Sequence, residues 1–229
     1  MKLLPTTHAM LRRLTLSAFA LGALAPSAAG DFTGFSTVRT ESGAYVKYEL
    51  FGNFDGATDT VLNAFHISLV SGASTFYHAD ALNGGVIGSA AGTWNPQFVL
   101  VPGAMDSYVC IGGGEGFASG NSTAADPDWG AAGFNTAQIP YGNFTSGPGW
   151  FNQNPPNLQG RVNAEGMVKL GQFVIASADE ANGATIFLKV GYNNGQGGGV
   201  QFGEGNFTLP TPGAVALLGL AGLAGRRRR

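Results

Sequence analysis

The sequence predicts an all-β fold, an antiparallel β-sandwich of jelly-roll or Ig-like topology. Apolar and polar residues alternate over short runs, and these runs are rich in β-branched and aromatic residues. Turns rich in Gly, Asn, Asp and Pro separate the runs, and no segment of the body shows the period of an amphipathic helix. With 229 residues, 44% of them apolar, the chain is long enough for one sizeable core, so one domain is expected.

The predicted strands follow one another along the body of the chain. In "AYVKYELF", Val46, Tyr48 and Leu50 share one face, and Lys47 and Glu49 share the other. Similar runs predict about eight strands: TVLNAFHISLV, STFYH, QFVLV, SYVCI, MVKLGQFVIA, TIFLKVGY and VQFGEGNFTL. The segment "YNNGQGGGVQF" predicts a hairpin, because Asn-Gly and the glycine run tolerate positive φ.

A long segment rich in glycine and aromatic residues, 112–160, interrupts this pattern. Its aromatic residues are too many for a disordered linker, so an ordered loop excursion is expected: Trp129, Phe134, Tyr141, Phe144, Trp150 and Phe151. Two interpretations stay open. The rings pack onto the sandwich, which buries about 150 Å² or more for each, or some of them stack on sugar rings, with Trp129, Tyr141 and Trp150 as glycan contacts.

The candidate metal ligands are Asp126 and Asp128 in "DPDWG". Two carboxylates at this spacing can share calcium, but the third oxygen ligand and the distal Glu of a calcium loop are absent. The alternative is a turn in which the aspartates cap backbone amides. Calcium is the one cofactor that the sequence suggests.

The sequence singles out no catalytic residue. It contains no G-x-S-x-G, no H-E-x-x-H and no Cys/His metal spacing, and His66 and His78 lie in separate strand-like runs. The single cysteine, Cys110, excludes an intramolecular disulfide and is expected to be a small buried hydrophobe. We therefore expect a protein that is not an enzyme.

The charges divide between the body and the two ends. Residues 30–208 hold five basic residues against 14 acidic ones, a net charge of −9, whereas the other seven basic residues lie at the ends. An acidic body argues against nucleic acid as a partner. The basic ends are typical of membrane-topology signals.

The N-terminus has the order of a secretory signal peptide. Arg12 and Arg13 precede an apolar run, 14–24, which small residues follow. Cleavage is predicted after Ala29, so residues 1–29 form the signal peptide and the Sec machinery is an expected partner. The alternative, an uncleaved anchor, is disfavoured because 11 apolar residues are short for a membrane span.

The C-terminus, 209–229, ends in an apolar run and four arginines. As a short hydrophobic helix, residues 213–225 would reach about 20 Å, against a hydrocarbon core of about 30 Å. Three interpretations compete: a core helix, a tail held briefly in the inner membrane, and a processing signal. A core helix should carry polar residues on its outer face, and this run has none.

These residues resemble the PEP-CTERM protein-sorting signal of bacteria that have an outer membrane. The resemblance lies in a Pro-x-Pro motif, a short Leu/Ala/Gly helix and a terminal arginine cluster: Pro210, Thr211, Pro212, then Gly213 to Gly225, then Arg226, Arg227, Arg228 and Arg229. Thr211 stands where the family usually has Glu, which makes this a Pro-Thr-Pro variant. The resemblance implies an exosortase-type processing enzyme, a membrane-embedded cysteine transpeptidase-like protein, as a partner.

We therefore expect a signal peptide (1–29), a β-sandwich domain (30–208) and a sorting signal (209–229). The expected protein is exported, associates transiently with the inner membrane, and ends in the cell envelope or extracellular matrix. Its expected role is structural or binding. Two alternatives are a polysaccharide-binding module, with exopolysaccharide as the partner, and an envelope hydrolase.

Overall fold

The computed structural model describes residues 30–72, 75–129, 134, 138–142, 145, 147–194 and 199–209. These residues form two antiparallel β-sheets joined by loops with short 3-10 turns, and no α-helix occurs among them. The prediction of an all-β fold is thus confirmed. The predicted C-terminal helix and the signal peptide lie outside the described residues. Within that described part, no helix is long and apolar enough to cross a membrane.

Nine strands are assigned in the described residues. In chain order they are β1 (Phe32–Ser42), β2 (Tyr45–Phe54), β3 (Thr60–Gly72), β4 (Tyr108–Val109), β5 (Thr123–Ala125), β6 (Trp150–Asn152), β7 (Met167–Ala176), β8 (Ala184–Asn193) and β9 (Gln201–Leu209). The first sheet has the order β1-β2-β7-β4, and the second has the order β5-β6-β3-β8-β9.

Five connections between the described strands cross from one sheet to the other, and two of them join strands at the middle of the sheets. These two lead from β2 to β3 and from β7 to β8. The strands before the crossings, β2 and β7, pair antiparallel with each other, as do β3 and β8 after them. The two crossings therefore tie the sheets together at the middle of each.

The core lies between the sheets, where the strand alternation predicts it. Val46, Tyr48 and Leu50 of β2 are fully buried in one hydrophobic cluster with Ile186 and Leu188 of β8. The two-residue period of "AYVKYELF" thus identified the inward face correctly. The β8–β9 hairpin is also confirmed by antiparallel pairing from Ala184–Leu209 to Tyr192–Gln201.

The chain between β3 and β7 extends the two sheet edges beyond their regular strands. Tyr77 N donates a hydrogen bond to Val174 O of β7 (2.9 Å), and Leu69 N of β3 donates to Pro140 O (2.8 Å). The segment around residue 77 therefore lies beside β7 next to β4, and the segment around residue 140 lies beside β3 next to β6. This long connection closes one side of the sandwich and, as shown below, carries the candidate site.

Two of the predicted strands are not formed. The prediction for "QFVLV" is wrong: Pro96–Phe98 form a 3-10 turn, because the Asn95 side chain accepts a hydrogen bond from Gln97 N (2.9 Å) and caps it. "STFYH" forms no regular strand in its described part, which makes an isolated bridge between His78 and Ser89 and the Tyr77–Val174 hydrogen bond given above. β1, which the sequence pattern did not predict, pairs along the whole of β2.

Two glycines with the same backbone conformation allow a matched test of packing. Gly43 and Gly112 both have φ of +60°, but a Cβ at Gly43 would meet nothing within 4 Å. A Cβ at Gly112 would lie 1.7 Å from Gln159 O. We expect Gly43→Ala to lower the free energy of unfolding by about 1 kcal/mol, and Gly112→Ala by roughly 2 kcal/mol more. Urea denaturation checks this, and equal losses would contradict the close packing.

Candidate functional site

Three buried ionisable side chains meet in the connection between β3 and β4. His78, Asp80 and Asp106 each offer one potential ligand atom, and these atoms all lie within 4.8 Å of one another. All three side chains are fully buried. His78 and Asp80 stand two apart on an extended segment, which places both on the same side of the chain. Asp106 lies just before β4.

Backbone groups fix the carboxylates in this cluster. Asp80 Oδ1 accepts a hydrogen bond from Leu82 N (2.8 Å), and its Oδ2 accepts one from Thr93 N. Asp106 Oδ1 accepts one from Ala79 N (3.0 Å) and lies 3.6 Å from His78 Nδ1. Asp106 Oδ2 is buried and accepts no hydrogen bond from the described residues. Backbone N–H groups of Ala79, Leu82 and Thr93 thus hold the two carboxylates in place.

Neighbouring residues pack closely against the side chains of the cluster. The indole of Trp94 lies edge-on to the His78 ring, with centroids 5.0 Å apart. A Cβ at Gly92 would lie 2.3 Å from His78 Cβ and 2.7 Å from Asp80 Oδ2, so only glycine fits there. Burial raises the pKa of Asp106, and the nearby imidazole of His78 opposes that rise. His78, Asp80 and Asp106 expose almost no surface to solvent in the described structure.

The sequence motifs did not predict this cluster, although one signal for it exists. The His-x-Asp spacing of His78 and Asp80 puts two potential ligands on one face of an extended segment. Asp106 lies 26 residues further on, and only the fold brings it close. An imidazole with two carboxylates can bind a divalent metal ion or hold a proton between the ring and a carboxylate.

The candidate calcium ligands form a local turn. Asp126 Oδ1 accepts a hydrogen bond from Asp128 N (3.0 Å), and Asp126 N donates to Gly149 O (2.9 Å). Burial raises the pKa of Asp126, whereas Asp128 is exposed. Neither belongs to the one metal-type cluster of the described residues. The contacts are those of the turn in which an aspartate caps backbone amides.

The candidate glycan contacts do not lie together on the surface. Trp129 and Trp150 are buried in the core and donate their indole N–H groups to Gly149 O (2.6 Å) and Cys110 O (2.8 Å). Tyr141 is 68% exposed. Both indole faces are therefore covered by protein, because these rings close the excursion onto the sandwich, and of the three only Tyr141 presents a ring to solvent.

Cys110 is a buried free thiol. Its burial raises its pKa to about 12, which leaves almost no thiolate at neutral pH. We expect a thiol reagent such as DTNB to label the native protein slowly, at the rate of unfolding, and to label it at once in urea. Fast labelling of the native protein would contradict the burial of Cys110.

The outer face of the second sheet carries exposed aromatic side chains. Phe202 of β9 is 69% exposed, and its ring contacts that of Phe65 of β3 (centroids 6.0 Å apart). Beside them, Lys189 Nζ pairs with Glu204 Oε2 (2.8 Å). These four residues line a shallow cleft of about 330 Å³. An apolar ring and charged hydrogen-bonding groups thus share one open surface.

The predicted processing residues fall outside the described residues: Ala29, Pro210, Thr211, Pro212, Gly213, Arg226, Arg227, Arg228 and Arg229. Leu209, the first residue of the predicted sorting segment, is buried and ends β9, where it pairs with Ala184. The chain matches no protein-family model, and no curated protein or solved structure matches it either.

Proposed function

We propose that this chain is an exported cell-envelope or matrix protein whose C-terminal segment is processed by an exosortase-type system. The observation that carries the proposal is the pair of opposed end signals: a signal-peptide pattern in 1–29, and Pro210-Thr211-Pro212 with an apolar run and Arg226–Arg229 at the other end. Between them lies an acidic all-β body, which supports a structural or binding role by fold-level analogy with other β-sandwich domains.

The strand order supports an Ig-like topology over a jelly roll. In Ig-like domains one sheet has the order A-B-E-D and the other contains C-F-G. The order β1-β2-β7-β4 fits the first, and the neighbours β3-β8-β9 fit the second. On this proposal β3 corresponds to strand C and β8 to strand F, and the two pair antiparallel with each other.

The proposed role is not enzymatic. The described residues bring one histidine and two carboxylates together, and this cluster is fully buried. A hydrolase needs its acid, base or nucleophile within hydrogen-bond reach of the substrate. Burial of the His78 cluster therefore supports the binding or structural proposal over the hydrolase alternative.

Cell fractionation of a bacterium that has an exosortase tests the proposed localisation. The structure sets the truncation point, because removal of 210–229 spares the whole of β9. We expect the full chain at the cell surface or in the medium, and the truncated chain in a different fraction. Thr211→Glu, which restores the commoner motif, should keep the wild-type destination. Cytoplasmic retention of the full chain, or an unchanged destination after truncation, would overturn the proposal.

A second candidate function is polysaccharide binding, through the outer face of the second sheet and not through Trp129 and Trp150. The observation that favours it is the exposed ring of Phe202 beside Lys189 and Glu204, since a flat ring can pack on a sugar and charged groups can bond its hydroxyls.

Phe202→Ala tests this second candidate against Phe117→Ala, because both rings are 69% exposed and Phe117 lies elsewhere. On a glycan array, we expect Phe202→Ala to weaken binding of a recognised polysaccharide about tenfold, or about 1.4 kcal/mol. Phe117→Ala should not change it. Equal effects of the two variants, or no binding by the wild type, would remove polysaccharide binding through this face.

A further inference from the structure

We propose that His78, Asp80 and Asp106 form a structural site for one divalent transition-metal ion, with zinc as the best-fitting ion. The proposed envelope role does not require this site, and different observations support the two proposals. The three side chains come from two stretches of the long connection between β3 and β7, so an ion bound to them would tie those stretches together.

The charges of the cluster call for a cation. With both carboxylates ionised, the triad carries a net charge of −2 with a neutral imidazole and −1 with a protonated one. Net charge in a fully buried place is costly unless it is compensated. Asp106 pairs with His78, and no lysine or arginine of the described residues pairs with Asp106. A divalent ion with a neutral His78 brings the triad to zero.

One oxygen of the cluster lacks a hydrogen-bond donor. Asp106 is buried, its Oδ1 accepts from Ala79 N, and its Oδ2 accepts nothing from the described residues. Buried carboxylate oxygens are normally hydrogen-bonded or bound to a metal. Because Oδ2 belongs to the carboxylate that faces His78 Nδ1, a metal ion in the cluster lies within its reach.

The spacing and the donor types agree with zinc. Ligand atoms about 2.0–2.1 Å from a tetrahedral ion lie roughly 3.4 Å apart, and His78 Nδ1 and Asp106 Oδ1 are 3.6 Å apart. The wider spacings, up to 4.8 Å, would close on binding. One imidazole with two carboxylates suits zinc, whereas calcium takes oxygen ligands only. A water or a backbone carbonyl would supply a fourth ligand.

The alternative is a buried His78–Asp106 pair that holds a proton and no metal. The two arrangements differ in what added metal does. A His78–Asp106 pair that only holds a proton leaves the Tm of the wild type unchanged by Zn²⁺. A metal site gives a Tm that rises with Zn²⁺, and Asp106→Asn should abolish that rise.

Metal binding by the tag-free full chain is the test. The protein is stripped with EDTA and dialysed against Zn²⁺, Mn²⁺ or Ca²⁺ in turn, and bound metal is counted by ICP-MS while the Tm is recorded. The variants are Asp106→Asn and His78→Gln. Asp126→Asn and His66→Gln are the matched controls, because they remove a partly buried carboxylate and an imidazole outside the cluster.

We expect one Zn²⁺ per wild-type chain, a higher Tm with Zn²⁺ and no comparable effect of Ca²⁺. Binding should weaken at least 100-fold in Asp106→Asn and His78→Gln, and should stay unchanged in both controls. The proposal is overturned if the wild type binds no stoichiometric transition metal, or if the controls lose the ion and Asp106→Asn keeps it. The wild-type stoichiometry decides even where a variant does not fold.

Discussion

Replacement of Trp129 by alanine is expected to lower the free energy of unfolding by about 4 kcal/mol, the usual cost of truncating a buried tryptophan. Its indole packs against Trp94 (centroids 5.4 Å apart), Phe134 (6.1 Å) and Trp150 (6.5 Å). The variant also loses the indole donor to Gly149 O. The remaining rings cannot close so large a cavity, so most of the loss should persist after relaxation.

Tyr141→Ala is the matched control, since this ring belongs to the same excursion and is 68% exposed. Its effect on stability should stay within about 0.5 kcal/mol. Chemical denaturation of both variants measures the difference. A loss below 1 kcal/mol for Trp129→Ala would contradict the packing of the excursion against the sandwich, and would return Trp129 to the surface as a possible sugar contact.

Arg39→Met is expected to lower the free energy of unfolding by about 3 kcal/mol, because it leaves a buried carboxylate without its cation. Arg39 Nε and Nη2 donate to the two carboxylate oxygens of Glu180 (2.5 and 2.9 Å), and Tyr48 Oη donates to the same carboxylate. Glu180 is 2% exposed and Arg39 is 28% exposed. This network ties β1 and β2 to the loop between β7 and β8.

The control for Arg39→Met is Glu41→Gln. Glu41 also accepts from Arg39 Nη2 (2.8 Å), but it is more than half exposed, and surface pairs contribute about 0–1 kcal/mol. Urea denaturation of the two variants should show a small loss for Glu41→Gln and a large one for Arg39→Met. Equal losses would mean that the Glu180 carboxylate is solvated.

The pH dependence of the same pair has a defined sign. The hydrogen bond from Arg39 holds the pKa of Glu180 below its ordinary value. A lowered folded-state pKa gives stability that is present above the unfolded pKa of about 4.3 and is lost as pH falls through the folded pKa. The stability difference between wild type and Arg39→Met should therefore shrink below about pH 4. Burial raises the pKa of Asp59, Asp106 and Asp126, but these acids are common to both proteins and cancel in the difference.

The long strands were predictable because their side chains alternate and their residues suit a sheet. "MVKLGQFVIA" coincides with β7, and Val46, Tyr48 and Leu50 face the core as their period requires. The long connection was less predictable, since its structure depends on tertiary contacts. "QFVLV" has strand-like composition, but Pro96 and the Asn95 cap favour a 3-10 turn, and this local preference determines the structure.

The candidate metal cluster was not predictable as a whole. The sequence places His78 and Asp80 on one face of an extended segment, but the third member, Asp106, comes near only because β4 pairs with β7 and Ala79 N bonds its carboxylate. Asp126 and Asp128 were candidate calcium ligands because they lie two residues apart, yet their contacts are local to a turn. Spacing along the chain reports local geometry, whereas this cluster depends on the fold.

The termini of the chain recovered from the cell surface or the medium test the central proposal most directly. Intact-mass and terminal-peptide analysis of the surface or medium fraction should give a chain that begins at Gly30 and ends within or just before Pro210–Gly213, with Leu209 and the whole of β9 retained. A surface fraction that still contains Met1 or the Arg226–Arg229 cluster would contradict export by signal cleavage and processing at the Pro-Thr-Pro motif.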